Sequence, residues 1–229
     1  MTTLLIATRN AHKTGEIRAI LGPRFQFLTL TDFPAAPKIV EDAPTFAGNA
    51  AKKAGELAKW VRGKQPISTP QQPTPNFVLA DDSGLEVDAL NGAPGVHSAR
   101  FAALDKSENS RDADNNAKLL RLLQDVPLEK RTARFHCVIA LVPVPEETVE
   151  SASPVCFADE FEPRLFDGAC EGWIQFTPSG HGGFGYDPLF VPDGFTQSFA
   201  ELGEDVKNRL SHRARALAQL EAFLAHRRG

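Results

Sequence analysis

The 229 residues suffice for one sizeable hydrophobic core or at most two small ones, and 42% hydrophobic with 24% charged residues excludes a disordered polypeptide. A formal net charge of −4 argues against a sequence-independent nucleic-acid binder, which needs a basic surface, while leaving room for a local basic pocket. No window holds the ~20 apolar residues of a membrane helix, so neither nucleic acid nor membrane is expected as a partner.

In chain order, Leu4 to Thr8 reads as a buried first strand; its apolar run, Leu4 to Ala7, is too short for the core of a secretion signal and has no basic flank before it. Asn10 stands where a helix N-cap belongs. Ala11 to Leu21 carries Ile17, Ile20 and Leu21 at helical spacing and stops at Gly22-Pro23; Phe25 to Leu30 is a second strand. Thr8-Arg9-Asn10-Ala11-His12-Lys13 therefore joins a strand to a helix N-terminus, where unpaired backbone N–H groups favour an anion. The spacing is not that of a P-loop, and an ordinary cap with a solvated lysine would fit this segment equally well.

Glu41 to Pro44 is a loop, and Thr45 caps a helix with Phe46, Ala50, Leu57 and Val61 on one face. Asn49 and Lys53, four residues apart, share a neighbouring face. Residues Gly63 to Asn76, rich in proline and glutamine, are expected to be a surface insertion. A central strand from Phe77 to Ala80 is expected to end at Asp81-Asp82-Ser83-Gly84, with Leu85 to Leu90 as a second short extended piece. Two adjacent carboxylates there cannot both enter a core without a partner or a metal, and in extended backbone they face opposite ways. Mg²⁺ prefers one or two carboxylates with phosphate oxygens and water. The alternative is an Asx-type turn closing a hairpin.

Asn91 to Gly95 is a turn-rich loop before Ser98-Ala99-Arg100, and Asn115 to Leu123 is an amphipathic helix. Arg134 to Val142 is a strand, Pro143 to Ser153 an acidic hairpin loop, and Val155 to Phe161 and Arg164 to Phe176 are further antiparallel strands. Gly182-Gly183-Phe184-Gly185-Tyr186-Asp187 places two aromatics in a glycine-rich loop, where exposed rings would stack on a base; a turn with one ring tucked beneath it is the alternative. Pro188 to Val191 is a short strand. Ser211 caps a last helix striped by Leu210, Ala214, Leu217, Leu220 and Leu224, and His212-Arg213 opens it with donors suited to a purine edge or phosphate. No Gly-x-Ser-x-Gly elbow is present, and Cys137, Cys156 and Cys170 show no zinc spacing; idle thiols in a reducing, cytoplasmic setting are expected.

Together the clusters resemble the inosine triphosphate pyrophosphatase family. The likeness rests on Thr8-x-Asn10-x-x-Lys13, Glu41, Thr45-Phe46-x-x-Asn49-Ala50-x-x-Lys53-Ala54, Ala80-Asp81-Asp82-Ser83-Gly84-Leu85, Gly92-Ala93-Pro94-Gly95-Val96-x-Ser98-Ala99-Arg100, Gly182 to Pro188 and Ser211-His212-Arg213. The resemblance implies Mg²⁺-dependent hydrolysis of non-standard purine nucleoside triphosphates (ITP, dITP, XTP) to monophosphate and pyrophosphate. It implies Thr8 to Lys13 and Lys53 on the triphosphate, Glu41 and Asp82 on Mg²⁺, and Asp82 also as proton acceptor for the attacking water. Ser83 would touch substrate, and Phe184, Gly185, Tyr186, Asp187, Lys207, His212 and Arg213 would form the base pocket. Arg9 and His12 occupy variable positions of the first motif and are expected to add phosphate contacts. The resemblance also implies a homodimer and one α/β domain over residues 1–229, two-lobed, with a long mixed sheet flanked by helices and the active-site cleft between lobes. A pyrophosphatase of the related septum-inhibitor type and a non-hydrolysing nucleotide sensor are the competing readings.

Overall fold

The computed structural model describes residues 1–63, 74–105, 108–144 and 162–226. Among them, six strands form one mixed α/β sheet flanked by helices, in the order β2-β1-β3-β4-β5-β6. These are β1 (Thr2–Ile6), β2 (Phe25–Thr29), β3 (Phe77–Val87), β4 (Thr132–Pro143), β5 (Arg164–Ile174) and β6 (Phe190–Pro192). The helices are α1 (Ala11–Leu21), α2 (Phe46–Arg62), α3 (Asp112–Leu122), α4 (Phe199–Leu202), α5 (Glu204–Leu210) and α6 (His212–His226). The chain divides into two compact units, residues 1–82 with 138–166, and 83–137 with 167–229. The division falls inside β3, between Asp82 and Ser83.

In the first unit β1 runs parallel to both neighbours, with Leu4 opposite Phe27 of β2 and Phe77 of β3. Leu4, Leu5 and Ile6 are completely buried, as a parallel strand covered on both faces requires. Helix α1 buries Ile17 and Leu21, one turn apart, and ends at Gly22, whose φ of 66° suits a residue without Cβ. Asn10 and Thr45 cap α1 and α2 as expected: the Asn10 side chain accepts from the His12 and Lys13 backbone N–H groups, and Thr45 accepts from that of Gly48. The buried stripe of α2 is Phe46, Asn49, Ala50, Lys53, Ala54, Leu57, Ala58 and Val61. Asn49 and Lys53 thus lie within the apolar face rather than beside it.

In the second unit β5 and β6 are antiparallel, Gly172 to Ile174 facing Pro192 to Phe190. Its core gathers Leu85, Val87, Leu119, Leu123, Ala133, Phe135, Cys170, Ile174, Tyr186, Leu189, Phe190 and Phe199. Cys137 and Cys170 are buried thiols, and burial pushes Cys170 up to about 11. The start of α6 lies hard against β5. A Cβ on Gly168 would come within 2.2 Å of the His212 carbonyl, Arg215 donates to the Ala169 carbonyl at 2.7 Å, and Gln219 donates to that of Asp167 at 2.6 Å.

Two readings of the sequence are corrected. First, β3 does not stop at Ala80: it continues through Asp81-Asp82-Ser83-Gly84 to Val87. Both carboxylates have cationic partners, which offset part of the cost of burying them, and Gly84 serves close approach rather than a turn, since a Cβ there would meet the Gly95 carbonyl at 2.5 Å. Second, Leu210 is half-buried at the end of α5, and α6 begins only after Ser211, whose hydroxyl accepts from the Ala214 N–H. The expected strand at 155–161, most of the 63–76 insertion and most of the 143–153 loop lie outside the described residues. No helix among those described is long and apolar enough to cross a membrane.

Candidate active site

In the first unit, side chains from four stretches meet at the middle of β3. Lys53 of α2 donates to the Asp81 carbonyl at 2.7 Å and pairs with Asp82 Oδ1 at 3.1 Å and Glu41 Oε2 at 3.2 Å. Lys13, in the first turns of α1, pairs with Asp81 Oδ1. Asn49 Nδ2 donates to Asp82 Oδ2 at 3.1 Å, while its Oδ1 accepts the Ala43 N–H at 2.9 Å. Of the residues singled out from the sequence, Lys13, Glu41, Lys53 and Asp82 are therefore brought together here, and Thr8 and Asn10 lie at the adjoining strand–helix turn. Asn10 is engaged with the helix it caps, with Thr8 Oγ1 accepting the Asn10 N–H at 3.1 Å. Arg9 and His12 are exposed, and Arg9 donates to the Ala36 carbonyl at 3.1 Å.

The charges in this cluster perturb one another. Burial raises Asp82 to about 6; Lys53 and Lys13 oppose the rise, and the neighbouring Glu41 carboxyl adds to it. For Glu41 burial also pushes upward, but Lys53, a hydrogen bond shared with Asp82, and Lys13 hold it below its ordinary value. Lys53 would be lowered by burial, yet Asp82, Glu41 and Asp81 raise it. Two carboxyl groups in direct contact, Asp82 buried and Glu41 half-buried, make a pair that a divalent cation would stabilise. Among the described residues no group of three or more His, Cys, Asp or Glu is arranged to hold a metal. A protein-only cage is thus not what these donors make, but Glu41 and Asp82 fit Mg²⁺, which takes one or two carboxylates and completes its shell with phosphate oxygens and water.

In the second unit, Arg213 is 1% exposed and its Nη2 donates to Ser83 Oγ at 2.9 Å. His212 is 4% exposed and stacks on Phe135 with centroids 4.9 Å apart. Both residues are set into the protein at the start of α6, not displayed on its surface. Lys207 Nζ sits 2.5 Å from Asp187 Oδ2 and 4.4 Å from the Phe184 ring centroid. Asp187 Oδ2 also accepts the Phe184 N–H at 2.8 Å, so one buried carboxylate ties the loop to α5. Gly183 must be glycine: its φ is 73°, and a Cβ would overlap Asp187.

The glycine-rich loop is anchored by elements that its own sequence does not name. Asp112 and Asn116, one turn apart on α3, hold both sides of Gly185, accepting its N–H at 2.7 Å and donating to its carbonyl at 3.0 Å. Tyr186 is a core residue, 3% exposed, and its hydroxyl donates to the Ser98 carbonyl at 2.8 Å. The expectation of two exposed stacking rings is therefore corrected to one half-buried ring, Phe184. Ser98 in turn accepts from the Leu85 N–H at 2.9 Å and donates to the Gly95 carbonyl at 2.6 Å, linking this loop to β3 just beyond Ser83. Asp81, Asn49, Ser98, Asp112 and Asn116 are the contributors that sequence reasoning did not assign. The visible signal for Asn49 was a polar residue at an apolar-stripe position; for Asp112 and Asn116 no local signal exists.

Residues 4–223 match the Ham1 family. The chain is 43% identical over 225 residues to a dITP/XTP pyrophosphatase of Halalkalibacterium halodurans, covering 98% of this chain and 100% of that protein. It is 45% identical over 225 residues to one from Geobacter sulfurreducens, covering 98% and 97%. Among solved structures, the Ham1 protein of Staphylococcus aureus superposes with a TM-score of 0.76 at 32% identity, covering 99% of this chain and 100% of that one. A nucleoside-triphosphatase / dITP/XTP pyrophosphatase from Mycobacterium abscessus gives 0.68 at 37% identity, covering 96% and 98%. Agreement of sequence and fold over nearly the whole length leads to one conclusion: the chain belongs to the Ham1 family.

Proposed function

We propose that this protein is a Mg²⁺-dependent pyrophosphatase that hydrolyses ITP, dITP and XTP to the monophosphate and pyrophosphate, clearing non-standard purines from the nucleotide pool. The relatives' activity supports the substrate class. The observation that carries the chemistry is the Lys53–Glu41–Asp82 cluster, in which Lys53 and Asp82 are buried and Glu41 half-buried, with Asp82 raised to about 6. That value belongs to the metal-free protein; Mg²⁺ on the same carboxylate would lower it and keep Asp82 in the ionised form that a proton acceptor needs.

Glu41 and Asp82 would hold Mg²⁺, which when bound supplies charge neutralisation at the phosphates. Lys13, Lys53 and the backbone N–H groups at the start of α1, with Thr8 to His12, would bind the triphosphate and stabilise the negative charge that builds on the leaving pyrophosphate. Asp82 takes a proton from water as its oxygen adds to phosphorus; the α–β anhydride bond breaks, and its electron pair leaves with pyrophosphate. Phe184 and Lys207 would face the base, with Asp187, Gly185 and Tyr186 shaping the loop, while Ser83, His212 and Arg213 would contribute the remaining substrate contacts. A donor aimed at the purine 6-oxo group meets an amino group in ATP and is left unpaired, which can discriminate by ~10⁴. We further propose a homodimeric, cytoplasmic enzyme.

Incubation with dITP, ITP, XTP, GTP, ATP and dTTP at one concentration, with Mg²⁺ and quantified pyrophosphate, tests the reading. The first three should be turned over fastest, and Asp82→Asn should lose at least ~10² in turnover while still binding nucleotide. No pyrophosphate from the 6-oxo purines, or full activity in that variant, would defeat it.

A further inference from the structure

We propose that Asn49 is a positioning residue that orients the Asp82 carboxylate and holds the Glu41-bearing loop beside it; the inference rests on the role assigned above to Glu41 and Asp82. Asn49 is 1% exposed and stands on the buried stripe of α2, where a carboxamide is costly unless both of its ends are used. Both are. The Ala43 N–H can only donate, so it defines the oxygen end of the amide, and the nitrogen end is thereby aimed at Asp82 Oδ2. Turning the amide over would set donor against donor and oxygen against carboxylate.

Asp82 is consequently gripped through both oxygens by residues one turn apart on a single helix, Oδ1 by Lys53 and Oδ2 by Asn49. These two donors to the carboxylate therefore both stand on α2. The same amide draws in residues 41–45, which pack so closely on the first turn of α2 that a Cβ on Gly48 would lie 2.8 Å from Ala43 Cβ. Glu41 and Asp82 come from different stretches of chain, and Asn49 is hydrogen-bonded to both stretches. Groups that orient metal- or water-facing carboxylates act on the reacting geometry more than on substrate affinity.

Asn49→Leu, similar in size but without donor or acceptor, and Asn49→Ala test this. In the folded variants kcat for dITP should fall and the Mn²⁺ dissociation constant, read by electron paramagnetic resonance without nucleotide, should rise, each by about 10- to 100-fold. KM for dITP should stay within about threefold, as for an interaction that matters to the transition state. Thermal melts establish the folded fraction, and if the leucine variant does not fold, the alanine variant carries the test. Folded variants with kcat and Mn²⁺ affinity within about twofold of the parent, or losses that only track the unfolded fraction, would overturn the inference. A parent inactive on dITP would instead defeat the functional reading, while the Mn²⁺ titration would still report on Asn49.

Discussion

Asp81 and Asp82 are neighbours in one strand, and their side chains take different partners because extended backbone alternates: Asp81 goes to Lys13, and Asp82 to Lys53 and Asn49. Asp81, 1% exposed, fixes where the Lys13 ammonium lies, whereas Asp82 keeps a carboxylate whose ionisation burial disfavours. That difference has a thermodynamic signature. Because Asp82 is raised from 3.8 to about 6, the folded metal-free protein binds its proton more tightly than the unfolded chain between those values. The contribution of this group is therefore favourable at low pH and is lost as pH rises towards 6. Asp82→Asn removes this contribution and leaves that of Glu41, which is lowered and acts with the opposite sign. In chelator, the variant's stability relative to the parent should shift in the variant's favour by about 1–3 kcal/mol between roughly pH 4 and pH 7, whatever the offset at pH 4. Urea unfolding at the two pH values measures it; an unchanged difference would mean that Lys53 and Lys13 fully compensate the burial.

At the level of elements, α3 sets the glycine-rich loop by holding the Gly185 N–H and carbonyl with two side chains, Asp112 and Asn116. Each hydrogen bond is worth on the order of 1 kcal/mol, so Asp112→Ala or Asn116→Ala should raise KM for dITP by roughly three- to tenfold while kcat is nearly kept. Because both hold the same residue, the double variant should cost less than the product of the two single effects. Steady-state kinetics of the three variants checks this, and unchanged KM values would detach the loop from substrate binding. The starts of α1, α2 and α6 were legible in the sequence because caps are local: Asn10, Thr45 and Ser211 each bond to N–H groups two or three residues on, whereas α3, expected from Asn115, begins at Asp112. The course of β3 was not, because whether Asp81-Asp82-Ser83-Gly84 turns or continues depends on Lys13 and Lys53, far away in the chain, and on the return of the chain at Gly95.

For the whole molecule, family membership and fold agree over nearly the full length, and two expectations follow from the proposed function. Chelation of divalent ions should abolish pyrophosphate release, with Mg²⁺ restoring it, since the triphosphate otherwise meets Glu41 and Asp82 as bare charge. Sedimentation equilibrium at micromolar concentration should give twice 24.9 kDa for the proposed homodimer; a single 24.9 kDa species would refute it. The amino-acid order alone determined the first βαβ unit, the helix caps, the α/β class and the chemical types gathered at the site, because apolar periodicity and capping act over a few residues. Only tertiary structure decided that Tyr186 belongs to the core, that His212 and Arg213 are buried, and that Asn49 ties the Glu41 loop to Asp82. The physical reason is that burial and hydrogen-bond satisfaction are properties of neighbours brought together by folding, and a residue's type does not reveal which partners will complete it.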